Sequence, residues 1–353
     1  MIQPIRVGLI GCGDISPSHL KSYAACGIEL VALCDVDRAR AEKRRAEYGT
    51  PETLIVSDHR TLLAMEEIDF VTVATPVAYH APLTIDALRA GKHVACEKPS
   101  TLSLAENAAI VTEARQAGKK VIFFSSRNRF GMSTLAKHYI DDGDLGEIYR
   151  VNVQFYRRRG RPGVDVIPDA HWFTNEKLAG GGVIMDLGQY FMDQVLHLVG
   201  WPLIETVSAT THRAFPHSLP AEVPFDVEEH CTFLARCRPN ITLTFDIAWI
   251  SNHSSYSNVT ILGEKGGIKM DSQTPFAFYS DKGGPWHWMN TTSEWHDQTN
   301  SNDHIYQDFI KAIRGNDPGV GTTPEEALAI TELTQMVLLS AKRNAEVTRD
   351  VLS

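Results

Sequence analysis

No apolar run in these 353 residues approaches the roughly 20 needed to cross a bilayer, so a membrane span is not expected. There is no excess of basic charge either. The formal net charge is −9, which argues against a nucleic-acid surface, since that needs a basic footprint. It leaves room for a small anion held by a local Arg cluster. The six cysteines (Cys12, Cys26, Cys34, Cys96, Cys231 and Cys237) include no Cys-x-x-Cys pair, and several fall inside apolar strand-like runs. Buried free thiols in a reducing compartment are expected, rather than disulfides or zinc. No His or acid cluster has metal-ligand spacing, so no metal is expected. The opening Met1-Ile2-Gln3-Pro4-Ile5-Arg6 lacks the basic region, apolar core and small-residue cleavage site of a secretory signal. A cytoplasmic location is the expectation.

What is present is ordinary for a soluble protein: 43% hydrophobic and 22% charged residues. The length exceeds the usual single core, which predicts two domains. The first alternates short apolar runs with helix-like segments over residues 1–125, the sign of βαβ units. Strands are expected at Ile5–Ile10, Leu30–Cys34, Phe70–Val73, His93–Cys96 and Lys120–Phe124, with a helix over Leu104–Gln116. This is the α/β pattern of a doubly wound parallel sheet. Residues 126–353 read as an α+β domain of open, mainly antiparallel sheet plus helices. Helices are expected at Met132–Asp141, Asp186–Val199, Ile305–Arg314 and Pro324–Ala345, with a break around Asn316–Gly319. Strands are expected at Ile148–Tyr156, Thr206–Thr211, Glu229–Arg236, Ile241–Ile247, Asn258–Leu262 and Ile268–Asp271. The last helix can pack back on the first domain.

Two motifs carry chemistry. Gly11-Cys12-Gly13-Asp14-Ile15-Ser16 follows the first strand and opens a helix, the context of a dinucleotide-binding turn. Gly11 permits the tight turn, Gly13 lets backbone approach a pyrophosphate, and the helix N-terminus favours the anion. Ser16 replaces the usual third glycine; it is small and able to cap the helix. Asp35 ends the second strand 22 residues after Gly13, the spacing of a ribose-binding acid. Its charge favours NAD over NADP, although Arg38 leaves some room for the phosphorylated form. Glu97-Lys98-Pro99 then places one Lys at the end of a parallel strand.

With these residues, and with Thr75-Pro76-x-x-x-His80, Ala90-Gly91-Lys92-His93-Val94, Asn128-Arg129-Phe130 and Gly180-Gly181-Gly182-x-x-x-Asp186-x-Gly188, the chain resembles the glucose–fructose oxidoreductase and inositol dehydrogenase (Gfo/Idh/MocA) family. The resemblance implies a Rossmann domain followed by an open sheet that serves as a dimer or tetramer interface. It implies hydride transfer at a hydroxyl-bearing carbon of a sugar or cyclitol. It places Lys98 beside nicotinamide and substrate, often next to a cis X-Pro bond, Asp186 on the reacting hydroxyl or its neighbour, and Thr75, Pro76, His80 and Glu97 with Lys98 around the cofactor. Tyr190 stands where the family often has His, and Val77 where many relatives have Asn.

Alcohol oxidation needs a positioned hydride acceptor, removal of the hydroxyl proton and stabilisation of a developing alkoxide. Tyrosine with its ordinary pKa of ~10 is a poor base at neutral pH, and a nearby Lys98 ammonium would favour tyrosinate. At helical spacing Asp186, Tyr190 and Asp193 share a face, with His197 one turn on as a reserve proton carrier. Plainer roles stay open: Asp186 as a helix cap, Tyr190 as a core aromatic, and Asp193 paired with His197. Tyr156-Arg157-Arg158-Arg159-Gly160-Arg161-Pro162 is either a solvated loop or a source of a substrate-binding Arg159, with His171 and Trp172 following. Trp286, His287 and Trp288 suit an interface equally well. The activity expected is an NAD-dependent sugar or cyclitol dehydrogenase. A redox-assisted glycosidase, which oxidises, eliminates and re-reduces, and a non-catalytic NAD sensor are the alternatives.

Overall fold

The computed structural model describes residues 4–273, 275–280, 288–290, 301–315 and 321–352, with the backbone alone at 288–290 and 301. The break expected around Asn316–Gly319 and the side chains of Trp286, His287 and Trp288 lie outside the described residues. The chain divides into two compact units, Met1–Arg127 with Thr299–Thr331, and Asn128–Gln298 with Glu332–Ser353.

The first unit holds strands β1 (Arg6–Ile10), β2 (Glu29–Cys34), β3 (Leu54–Val56), β4 (Phe70–Val73), β5 (His93–Cys96) and β6 (Val121–Phe123). All pairings are parallel, in the order β3-β2-β1-β4-β5-β6. Strands buried on both faces read as continuous apolar runs, which is why β4 and β5 were legible to the residue. β3, three residues at the sheet edge, was not. Helices α1 (Ser16–Cys26), α2 (Arg38–Tyr48), α3 (His59–Leu63), α4 (His80–Arg89) and α5 (Leu104–Ala117) connect them. α5 opens on a capping box, Ser103 with Glu106, and stops where Gly118 takes φ 61°. The sheet order reverses between β1 and β4, and ligands of such sheets bind outside the carboxyl ends at that point.

The second unit carries α6 (Met132–Asp141), α7 (Glu176–Ala179) and α8 (Gln189–Leu198) against a nine-stranded sheet. Its strands are β7 (Ile148–Tyr156), β8 (Ile204–His212), β9 (His230–Cys237), β10 (Ile241–Ala248), β11 (Tyr256–Gly263), β12 (Gly266–Asp271), β13 (Ala277–Ser280), β14 (Trp288–Asn290) and β15 (Val347–Thr348). The sheet is mixed: β10 pairs β7 in parallel and every other pairing is antiparallel. Alternation sends Val151, Val153, Leu243 and Phe245 inward, and α8 lies on that side with the Phe155 and Phe191 rings 5.0 Å apart. Of the last two helices, α9 (Ser301–Ile313) belongs to the first unit, and α10 (Pro324–Arg343) divides between the units at Thr331. Cys26 is half-buried and the other five cysteines are buried, and none is bridged. No helix among the described residues is long and apolar enough to cross a membrane.

Candidate functional site

The first motif sits at the carboxyl end of β1. Gly11 has φ 98°, and a Cβ there would lie 2.4 Å from the Ala74 carbonyl oxygen, so only glycine fits. Its N–H donates to Cys34 O at 2.8 Å, and Ala74 N–H donates to Ile10 O at 2.8 Å, drawing the ends of β1, β2 and β4 together. At Gly13 an added Cβ meets nothing within 4 Å, so the turn faces open space. Asp14 is exposed and Ile15 half-buried, immediately before α1. Ser16 does not cap α1: it is the first helical residue, its hydroxyl donates to Gly13 O at 2.6 Å, and no side chain caps the helix. Arg44 braces the same turn, donating to Ser16 Oγ and Gly13 O.

Asp35, the expected ribose acid, accepts two backbone N–H groups of its own chain. Its Oδ2 accepts the Cys12 N–H at 2.7 Å and its Oδ1 the Asp37 N–H at 2.8 Å, so it fastens the turn as well. Thr75 and Pro76 follow β4 at the same edge. Thr75 Oγ1 is buried with no hydrogen-bond partner among the described residues, an orphaned polar atom at the switch point. The open space at Gly13, the α1 terminus without a side-chain cap, the carboxylate of Asp35 and this hydroxyl all fit a dinucleotide.

His80 and Glu97, also expected around the cofactor, are buried among polar groups of the first unit. His80 is 1% exposed, with Nδ1 2.7 Å from Pro99 O and Nε2 2.8 Å from Thr75 O, and the neutral ring donates to one of the two. Burial lowers the ring's pKa against the pull of those carbonyls. His80 therefore ties the loop after β4 to the loop after β5. Glu97 is likewise buried: its Oε2 accepts the Lys98 N–H at 3.0 Å and its Oε1 lies 3.1 Å from His19 Nε2. Burial works to raise its pKa, but His19, Lys98 and Arg127 outweigh that and bring the carboxyl down to about 2. Lys98 is half-buried at the end of β5, and the Lys98–Pro99 bond is cis.

In the second unit Asp186 lies in a wide turn, Ile184–Gly188, with π-helical spacing that runs into α8. A face shared at 3.6 residues per turn does not carry over unchanged through π-helical spacing, so Asp186 and Tyr190 are not stacked as on a regular α-helix. Asp186 is buried and its Oδ2 accepts the Trp249 Nε1–H at 2.8 Å. Tyr190 and His197 are half-buried on α8. Asp193 takes a two-pronged ion pair from Arg129, Nε to Oδ2 and Nη2 to Oδ1, both 2.7 Å and both side chains buried. Both its oxygens thus serve Arg129.

The glycine run finds its reason in Glu228, which spacing did not single out. A Cβ on Gly182 would lie 1.9 Å from Glu228 O. The buried Glu228 carboxylate accepts the N–H groups of Gly182 at 2.8 Å and Ile184 at 3.0 Å, anchoring the turn that carries Asp186. The arginine segment holds exposed and buried members. Arg159 is exposed and spends its guanidinium on Arg158 O and Ser251 O, at 2.6 and 3.0 Å, bracing its own loop. The buried arginine is Arg161, paired with Asp165 and Glu229. His171 opens a short turn, and Trp172 stacks on Phe173 with ring centroids 3.8 Å apart.

Comparison with known proteins places this geometry. Residues 5–125 match the model of the oxidoreductase family with an NAD-binding Rossmann fold, and residues 134–269 match the GFO/IDH/MocA C-terminal domain. The chain is 28% identical to D-glucoside 3-dehydrogenase of Escherichia coli (strain K12), over 98% of this chain and 97% of that one. It is 26% identical to inositol 2-dehydrogenase of Salmonella typhimurium, over 49% of this chain and 55% of that one. In fold it is similar to levoglucosan dehydrogenase solved with NADH and L-sorbose, with a TM-score of 0.86 at 19% identity over 98% and 99% of the two chains. The chain belongs to the GFO/IDH/MocA family of NAD-binding oxidoreductases.

Proposed function

We propose that this protein oxidises a ring hydroxyl of a sugar or cyclitol with NAD, and that Lys98, Asp186 and Tyr190 are its catalytic residues. The observation that carries the reading is Lys98 at the carboxyl end of β5, on the sheet edge where Gly11, Gly13, Asp35 and Thr75 gather. The near full-length similarity to a glucoside dehydrogenase supports the substrate class.

The turn from Gly11 to Ile15, the start of α1, Asp35, Thr75 and Pro76 hold the dinucleotide. NAD, when bound, accepts the hydride from the carbinol carbon. The hydroxyl proton goes to Tyr190 in its tyrosinate form, which the Lys98 ammonium favours, with His197 in reserve, leaving a ketone. The Lys98 ammonium donates to the oxygen as negative charge develops, a stabilisation realised most fully in the transition state. Asp186, its Oδ2 fixed by Trp249, accepts from the reacting hydroxyl or its neighbour. Self-association we assign to the open face of the second sheet.

The test is absorbance at the NADH band while sugars, cyclitols and glycosides are screened. Stoichiometric NADH growth with one compound is expected. Lys98→Ala should lower turnover by about a hundredfold or more while NADH still binds, and retained activity removes Lys98 from the chemistry. Glycoside cleavage without net NADH would replace this reading by the redox-assisted glycosidase.

A further inference from the structure

Behind Lys98 the first unit carries a run of buried polar groups that the sequence scatters from residue 19 to residue 306. It begins at Glu97, whose Oε1 lies 3.1 Å from His19 Nε2. His19 Nδ1 is 2.8 Å from the Tyr306 hydroxyl. That hydroxyl is 3.0 Å from Thr72 Oγ1, to which the Tyr23 hydroxyl also donates at 2.6 Å. His19, Thr72 and Tyr306 are 0% exposed and Tyr23 2%, so water does not substitute for any of these contacts.

One arrangement of protons uses each donor once. Tyr23 donates to Thr72, Thr72 to Tyr306 and Tyr306 to His19 Nδ1, while His19 Nε2 lies 3.1 Å from Glu97 Oε1 without the alignment of a hydrogen bond. The three hydroxyl dipoles then run toward His19, the direction in which successive hydrogen bonds polarise one another. Aliphatic and phenyl groups would fill the same volume without the cost of burying five polar groups. On the other flank of Lys98, His80 holds Pro99 O, and Asn107 donates to both Ser100 Oγ and Thr331 Oγ1. The backbone on either side of Lys98 is thus pinned, and the Glu97 carboxylate lies directly on the Lys98 N–H.

We propose that His19 and Tyr306 are positioning residues for Lys98: they hold Glu97 as a buried carboxylate against the Lys98 N–H, and that fixed negative charge keeps the Lys98 side chain an ammonium. The catalytic consequence rests on the role given to Lys98 above. The charged and titratable groups around Glu97 are His19 from α1, Arg127 from the turn after β6, His80 from α4, Tyr306 from α9, and its neighbours Cys96 and Lys98. Of these, Lys98 is the one whose side chain would act on substrate.

The test reads Lys98 directly in the full-length protein without substrate. Lysines are labelled competitively with trinitrobenzenesulfonate across the range of lysine titration, and the Lys98 peptide is followed by mass spectrometry. Glu97→Gln should raise the Lys98 labelling rate at mildly alkaline pH about tenfold, as one unit of lost charge stabilisation requires. Tyr306→Phe and His19→Gln should shift it the same way by less, and Glu97→Asp should restore the original profile. In turnover, Tyr306→Phe should lower kcat about tenfold and leave KM and NADH affinity within about threefold. Tyr306→Phe removes a single oxygen, so it keeps the test decisive if the buried Glu97 and His19 variants fold poorly. A Lys98 labelling profile unchanged in Tyr306→Phe and Glu97→Gln overturns the inference. If labelling shifts but Lys98→Ala retains full turnover, the charge coupling stands and the catalytic role of Lys98 falls. If labelling is unchanged and Lys98→Ala is inactive, only the positioning role falls.

Discussion

Two glycine-to-alanine substitutions should have opposite consequences, and the structure sets the size of each. At Gly182 the new methyl would sit 1.9 Å from Glu228 O and 3.0 Å from Glu228 N. These are backbone atoms, so no side chain can swing aside. Moving the Glu228 segment would strain the bond from Val183 N–H to Glu228 O, at 3.1 Å. It would also pull the buried carboxylate from the N–H groups of Gly182 and Ile184. Overpacking costs about 1–3 kcal/mol, and weakening hydrogen bonds to a buried charged group adds about 1.5–3 kcal/mol. A loss of ~3–5 kcal/mol lowers the melting temperature of a unit this size by roughly 6–20 °C. At Gly13 the same methyl meets nothing within 4 Å, so Gly13→Ala should melt within about 0.5 kcal/mol of the parent. It would instead occupy the space a pyrophosphate needs, and NADH affinity should fall by about tenfold or more, some 1.4 kcal/mol. Calorimetry reads the first effect and NADH fluorescence titration the second. Because two units need not melt together, the second-unit transition is the one to follow in Gly182→Ala. An unchanged melt for Gly182→Ala, or unchanged NADH affinity for Gly13→Ala, refutes the reasoning at that position.

Further outcomes follow from single groups. His93 Nδ1 accepts the Lys120 N–H at 2.9 Å, and burial first, then Lys119 and Lys120, pulls its pKa from 6.5 to about 4. The folded state binds that proton less readily than the unfolded chain. Its contribution is therefore complete above pH 6.5 and lost as pH falls toward about 4. Discounted for partial exposure it is worth about 1–2 kcal/mol, and His93→Asn should flatten the melting temperature against pH across that window. An identical profile would dismiss His93 as its source. Asp35→Ala removes both the ribose acid and the acceptor for Cys12 N–H, so NAD affinity should drop and the NADP-to-NAD affinity ratio should rise about tenfold. Paired cofactor titrations check this, and an unaltered ratio would show that the carboxylate does not discriminate.

How much was legible divides along a physical line. The strands Phe70–Val73 and His93–Cys96 could be read because a parallel strand buried on both faces is a continuous apolar run between turns. Gly11 could be read because a positive φ and a close carbonyl leave one residue type. The position of Asp35 just after β2 could be read because a βαβ unit has nearly constant length. These are local backbone requirements, and neighbouring residues carry them. The side-chain partners were not legible: Trp249 on Asp186, Arg129 on Asp193, Glu228 under Gly182, His19 and Tyr306 behind Glu97. Each joins residues tens to hundreds of positions apart, and no spacing rule reaches that far. Likewise His80 and Glu97, expected beside the cofactor, have buried polar partners that no count of residues reveals. The backbone course of the cofactor turn was thus determined by the sequence alone. Which buried charges pair around it was decided only by tertiary structure, because a polar group removed from water must bond to whatever the packed chain brings within reach.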